Sequence, residues 1–298
     1  MKMVPNLTGQ VIMVTGANSG IGKVTARELA AMGATVVMVV RSRERGEAAL
    51  AEIKQQVSQA DVRLMLCDLS AQADIHRFAA EFKATYDRLD VLVNNAGAYL
   101  QKRQESVDGL EMTLALNHMG YFLLTSLLLD LLLASAPARI VNVSSDAHRS
   151  RPVNFGDLQR KKRYSGFGTY GESKLMNIMF TFELARRLAG TGVTVNALHP
   201  GFVRTNFGRN NNGLMNSLFM PLVQRFALNE EEGAATSIYL ASSPEVAGVT
   251  GQYFVKKQPV RAVDYAYDEA AQQQLWAVSE ALLKPVASPP AGAVFPVS

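Results

Sequence analysis

Two short segments carry residue types that could do chemistry together. Tyr170-Gly-Glu-Ser-Lys174 sets a phenol and an ammonium four positions apart, and at that spacing on a helix they share one face, about 5–6 Å apart at Cβ. An isolated phenol titrates near 10 and is a poor base at neutral pH, whereas a nearby ammonium favours the phenolate and draws that pKa towards the working range. The pair therefore reads as a proton donor with its activator. Upstream, Thr15-Gly-Ala-Asn-Ser-Gly-Ile-Gly22 places three glycines in seven residues. Glycines there permit a tight turn and a close approach of backbone to phosphate. A helix opening directly afterwards offers free N–H groups and partial positive charge, the makings of a bed for a dinucleotide pyrophosphate. The spacing is Gly-x-x-x-Gly-x-Gly, not the commoner G-x-G-x-x-G. Each segment has a bland reading, a chance pair on a surface helix or an ordinary strand-to-helix turn. Their order and context join them.

The elements that must position these residues follow from hydrophobic patterning. Residues 10–15 form a short apolar run typical of a buried parallel strand. It runs into the glycines, and residues 23–32 read as a helix that stops at Gly33. Further strands are expected at 34–40, 62–67, 90–93, 139–144 and 193–198, with a last edge strand at 251–255. Helices intervene at 43–56, through Phe78 and Phe82, and after Tyr170, where Leu175, Ile178, Met179, Phe182 and Leu188 form an apolar stripe. This alternation predicts an α/β fold, a doubly wound parallel sheet with right-handed crossovers and helices on both faces, its ligands at the carboxyl ends of the strands. A single domain spanning residues 1–284 is expected, followed by a Pro/Ala-rich tail, 285–298, that is disordered or loosely docked.

Composition narrows the function. With 48% hydrophobic and 19% charged residues, the 298-residue chain can bury a substantial core. A net charge of +4 is mild, and the one basic cluster, Arg160-Lys-Lys-Arg163, lacks interleaved aromatics, so no nucleic-acid partner is expected. A single cysteine, Cys67, rules out an internal disulfide and fits a reducing, cytoplasmic setting. No signal peptide opens the chain. The apolar stretch 121–133 contains Asp130 and reads as a core or interface helix that falls short of a membrane span. No metal site is expected.

These motifs together resemble the short-chain dehydrogenase/reductase family, with its Rossmann-type fold, over roughly residues 8–284. Thr15–Gly22 fits T-G-x-x-x-G-x-G, Asn94-Asn-Ala-Gly97 fits N-N-A-G and Tyr170–Lys174 fits Y-x-x-x-K. Asn117, Ser145 and Pro200-Gly201 fall where the family places its other landmarks. Within the family, Asp108-Gly-Leu-Glu111, Asn117-His-Met-Gly120, Val143-Ser-Ser145, Tyr170-Gly-Glu-Ser-Lys-Leu175 and His199-Pro-Gly201 are most similar to the retinol dehydrogenase-like group. The sequence lacks the N-terminal membrane segment of the vertebrate members, which weighs against membrane attachment and a retinoid substrate alike. The resemblance implies that Tyr170 gives or takes the hydroxyl proton and that Ser145, with Ser144 the local alternative, stabilises the substrate oxygen. It further implies that Lys174 also holds the nicotinamide ribose and that Asn117 anchors a water leading from that lysine to solvent. The cofactor set so implied is Gly16, Asn18, Ser19, Gly20, Ile21, Gly22, Arg41, Ser42, Asp68, Leu69, Asn94, Ala96, Gly97, Tyr170, Lys174, Pro200, Gly201, Val203 and Thr205. In it Asp68 lies near the adenine amino group, and Asn94 and Ala96 near the adenosine ribose.

Cofactor choice is read from the end of the second strand. An acid there suits the ribose hydroxyls of NAD, whereas an arginine accommodates the 2′-phosphate of NADP. The chain reads Val39-Val-Arg-Ser-Arg43 with no acid until Glu44, so NADP is expected ahead of NAD, with Arg41 and Ser42 on the phosphate. Residues 202–229, rich in Met, Leu and Phe, read as a lid over an apolar pocket, or else as a face for a membrane surface or a partner subunit. A lipophilic alcohol, aldehyde or ketone is the expected small-molecule substrate. A cofactor-sensing protein with little turnover and a ring double-bond reductase of the protochlorophyllide reductase type are the alternatives. By the resemblance, the helices at 117–133 and 170–188 pair across a two-fold axis in a homodimer or homotetramer. In a monomer the lid and a C-terminal helix bearing Leu275, Trp276 and Leu282 would cover them instead.

Overall fold

The computed structural model describes residues 5–201 and 229–283. Val203, Thr205, the expected lid up to residue 228 and the tail lie outside the described residues. The strands are β1 (Val11–Thr15), β2 (Thr35–Val40), β3 (Val62–Leu66), β4 (Val91–Asn94), β5 (Ala138–Val143), β6 (Val193–His199), β7 (Gln252–Val255) and β8 (Gln258–Pro259). They form one eight-stranded sheet in the order β3-β2-β1-β4-β5-β6-β7-β8. All pairings are parallel except that of β8 with β7. β7 is thus not the edge: the chain turns back through Lys256 and Lys257, both at positive φ, and adds a two-residue antiparallel strand outside it.

Helices α1 (Gly20–Ala31), α2 (Arg43–Gln56), α3 (Gln72–Thr85), α4 (Met112–Ala134), α5 (Gly166–Arg187), α6 (Glu230–Ser242) and α7 (Glu269–Ala281) flank the sheet. Successive strand residues point to opposite faces, and both faces are covered. Ile12, Val14, Val36 and Met38 pack with Leu29, Ile53 and Leu240 on one side. Met13, Val37 and Val39 pack with Phe78, Phe82, Phe122 and Leu184 on the other. That double burial is why the strands read as unbroken apolar runs rather than alternating ones. The strand order reverses between β1 and β4, so the loops leaving those two strands meet at the switch point, where such sheets bind ligands.

α1 opens at Gly20, inside the glycine motif and not after it. α4 is a 23-residue helix, long and apolar enough by length and composition to cross a membrane, yet most of it is buried in the protein core. Its second turn widens into a π-turn at Ala115–Met119. α5 is buried nearly all round, because α7 of the same chain lies across it. Trp276 stacks on Phe180 at 5.9 Å and meets Phe122 edge-on at 4.9 Å. The Arg187 guanidinium lies over the same indole, 4.0 Å from the ring centre, and the Ser279 hydroxyl pairs with His118 Nε2 at 2.8 Å. The α4–α5 surface around His118, Phe122 and Phe180, on which two-fold pairing was expected, is therefore covered within the chain. The apolar side chains there gain their burial from α7.

Candidate active site

The chain leaves β1 at Thr15 and turns at Gly16 and Gly20, whose φ values of +67° and +57° favour glycine. A Cβ on Gly22 would overlap the Gly16 carbonyl, and one on Gly16 would come within 2.9 Å of Ala96 Cα. The loop is a cradle that side chains would fill. Asn18 and Ile21 are half-buried beside it, and Ser19 is exposed, extended and makes no side-chain cap to α1. The first N–H groups of a helix have no partner within it, so the cradle presents donors. It is tied to the end of β4 by Thr15 and Asn95, which the motifs contain but to which the sequence reading gave no role. The Thr15 hydroxyl accepts from Asn95 N at 2.8 Å and Ala96 N at 3.0 Å, and Asn95 Nδ2 donates to the Thr15 carbonyl at 2.8 Å.

At the end of β2, Arg41 is 68% exposed and its nearest carboxylate is Asp68, at 3.9 Å. Ser42 caps α2 by accepting from Arg45 N at 3.4 Å. Asp68 accepts from the Ser70 amide at 2.9 Å and hydroxyl at 2.6 Å, and Leu69 is buried. Asn94, expected near a ribose, ends β4 with its side chain turned away from the loop. Its side chain is fully buried and donates to Asn142 Oδ1 at 2.9 Å and Thr125 Oγ1 at 3.1 Å. The strand alternation that turns Asn95 towards the glycine loop turns Asn94 into the core. Pro200 is half-buried at the end of β6, and Gly201 has φ +90°.

The proton-transfer residues converge beyond β4 and β5. Adjacent serines point to different places: Ser144 is buried and donates to the Lys174 carbonyl at 2.7 Å, whereas Ser145 faces the Tyr170 hydroxyl and favours its ionised form. Lys174 lies one helical turn on from Tyr170, its ammonium donating to the Val143 carbonyl at 3.0 Å. Asn117, in the π-turn, accepts from Ala98 N at 2.8 Å and donates to Ala98 O and Ser173 Oγ, both at 3.0 Å. Its side chain thereby joins the loop after β4 to α5. A Cβ on Gly97 would lie 3.2 Å from Asn117 Oδ1 and 3.4 Å from Lys174 Nζ, so glycine leaves the approach to the ammonium open. Tyr99 meets the Tyr170 ring edge-on at 6.1 Å, and the Lys174 ammonium lies 5.8 Å from the Tyr121 ring centre. Neither tyrosine was identifiable from motif spacing.

Burial governs the electrostatics. It pushes Tyr170 up to about 12, against the opposing hydrogen bond from Ser145, and pushes Lys174 down to about 7. The Tyr170 shift runs upward because of burial, with Lys174 not among its causes. Desolvation is the leading cause for both groups, and the ammonium is 5.7 Å from the Tyr170 ring centre.

Residues 10–214 match the family model described as short chain dehydrogenase. The chain belongs to the short chain dehydrogenase family. Within it the chain is retinol dehydrogenase-like. It is 43% identical over 290 residues to retinol dehydrogenase 14 of Homo sapiens, covering 92% of this chain and 86% of that protein. It is 43% identical over 277 residues to human retinol dehydrogenase 12, covering 93% and 87%. A crystal structure from Mycobacterium Paratuberculosis superposes with a TM-score of 0.76 at 35% identity, covering 94% of this chain and 95% of the other. The Pseudomonas aeruginosa RhlG/NADP active-site complex does so with 0.65 at 30% identity, covering 85% and 97%. This short chain dehydrogenase is accordingly an oxidoreductase that uses a nicotinamide cofactor and a small-molecule substrate.

Proposed function

We propose that the protein transfers hydride between NADP(H) and a lipophilic alcohol or its carbonyl partner, with Tyr170 exchanging the hydroxyl proton. The observation that carries the reading is the convergence of Ser145 on the Tyr170 hydroxyl, with Lys174 buried one turn away and approached past Gly97. When bound, the nicotinamide supplies or accepts the hydride. The glycine cradle would hold the pyrophosphate on its free amides, Lys174 the ribose hydroxyls and Arg41 the 2′-phosphate. Arg41 supports NADP because its only carboxylate contact among the described residues is long and exposed, and a structural neighbour is named as an NADP complex. The relatives' names speak of retinol, itself an apolar alcohol, which supports the substrate class.

In the reducing direction, Ser145 and Tyr170 donate hydrogen bonds to a carbonyl oxygen that is acquiring negative charge. A phenol near 12 suits that task, since the oxygen it protonates is more basic still. In the oxidising direction the phenol must be drawn down, and the group in place is Lys174, provided its ammonium stays charged against its own burial. Asn117 holds Ala98 and Ser173 with its side chain, so its main chain is what remains for a water. The lone, buried Cys67 suits a cytoplasmic setting.

The test is nicotinamide absorbance with aliphatic and retinoid aldehydes and alcohols, NADPH and NADH side by side. Turnover with NADPH preferred is expected. Turnover on a conjugated alkene but no carbonyl would indicate double-bond reduction, and tight cofactor binding without turnover a sensor; either overturns the reading.

A further inference from the structure

The peptide bond between Ser145 and Asp146 is held at both ends by histidine rings. Its carbonyl oxygen lies 2.8 Å from Nδ1 of His148. Its N–H donates to Nδ1 of His199 at 3.2 Å. Each contact assigns a tautomer. A carbonyl only accepts, so Nδ1 of His148 carries the proton. The far side of that ring agrees, because the Val263 N–H donates to Nε2 at 3.3 Å, which requires a lone pair there. On His199 the assignment reverses: an amide N–H only donates, so Nδ1 is bare and the proton sits on Nε2. Two neutral rings thus grip one peptide through opposite tautomers.

The rings come from different parts of the chain. His148 lies in the turn Asp146–Ser150 and is fully buried, packed edge-on against Tyr253 of β7 at 5.0 Å. His199 ends β6, next to β5 in the sheet. The peptide they hold is where the extended backbone of Ser145 gives way to the turn Asp146–Ser150. There its hydroxyl also accepts from Ala147 N at 3.2 Å.

We propose that His148 and His199 are positioning residues for Ser145, clamping the Ser145–Asp146 peptide so that the serine hydroxyl meets Tyr170 and the substrate oxygen together. The inference rests on the role given to Ser145 above. Charging His199 opens the clamp, because a proton on its Nδ1 would face the Asp146 N–H; charging His148 keeps its Nδ1–H on the Ser145 carbonyl but sets a proton on Nε2 against the Val263 N–H. Burial holds both rings neutral below the ordinary histidine range. The charged groups facing them are Asp146, which favours protonation, and Arg149, which opposes it, and the two rings also face each other. The Tyr253 ring and the Tyr265 hydroxyl are the other titratable neighbours of His148.

Nitrogen-15 NMR of the four histidines, assigned through His148→Asn and His199→Asn, reads the tautomers with no need of turnover. The Nδ1–H form at His148 and the Nε2–H form at His199 are expected. The same form at both, or exchange between forms at either, overturns the clamp whatever the activity. In kinetics, asparagine keeps a donor or acceptor near the Nδ1 position, whereas leucine keeps neither. His148→Leu and His199→Leu should each lose about 10- to 100-fold in kcat, the cost of a small misplacement of a catalytic group, with the KM for cofactor unchanged. The asparagine variants should recover most of it, with the acid limb of kcat displaced. Full kcat in both leucine variants of an active parent also overturns the proposal. An inactive parent would instead be a failure of the proposed function, and the tautomers would still decide the clamp.

Discussion

Lys174 donates a hydrogen bond to the carbonyl of Val143 at 3.0 Å, on the strand that delivers Ser145. The ammonium is therefore anchored to the sheet before any cofactor arrives, and its burial brings its pKa to about 7. An unfolded chain keeps that proton up to about 10.5. Between these values the unfolded state binds more protons than the folded one, so the stability that Lys174 governs rises with pH across that window. Tyr170 acts in the opposite sense above 10, where the folded state keeps its proton up to about 12. Urea midpoints of the cofactor-free protein, taken relative to Lys174→Met, should increase from pH 7 to pH 9. A flat or falling difference would contradict the buried ammonium.

Tyr170→Phe removes the transferable proton and keeps the ring that packs against Tyr99. Turnover should fall by about 10²–10⁴-fold, the usual worth of general acid–base catalysis, with cofactor affinity nearly intact by fluorescence titration. Near-normal kcat on a carbonyl would exclude Tyr170 as the acid.

Arg41→Asp should move the kcat/KM preference at least roughly tenfold from NADPH towards NADH, since charge-assisted hydrogen bonds contribute about 1.5–3 kcal/mol each and exposure discounts them. In the parent, added salt should weaken NADPH binding more than NADH binding, because Arg41 is largely exposed and screened. Unchanged preference after the substitution would sink the NADP assignment and leave the oxidoreductase standing.

Trp276 ties α7 to α5 through Phe180, Phe122 and Arg187. Trp276→Ala should cost about 3 kcal/mol, the lower end for removing a large aromatic, because the indole is only half-buried. With that surface covered, light scattering of the parent is expected to give one species near 32.4 kDa. A dimer mass would point to the rest of α4, where Leu133 is exposed.

Much of the fold was legible because its signals are local. Buried parallel strands show as unbroken apolar runs, and the glycine turn and the Tyr170–Lys174 spacing are complete within a few residues. Neighbouring residues of one type were another matter. Nothing local distinguishes Asn94 from Asn95, and only the strand register sends one to Asn142 and the other to Thr15. Ser145 could be preferred to Ser144 only by resemblance; the sheet and α5 direct Ser144 to the Lys174 carbonyl and Ser145 to Tyr170. What the sequence by itself determined was the set of chemically able groups, the elements carrying them and the family. The tertiary structure decided which atoms meet: α7 on α5, Tyr99 on Tyr170, and His148 and His199 on one peptide. It also decided the charge states, because desolvation depends on everything that packs around a group, and those neighbours come from parts of the chain far apart in sequence.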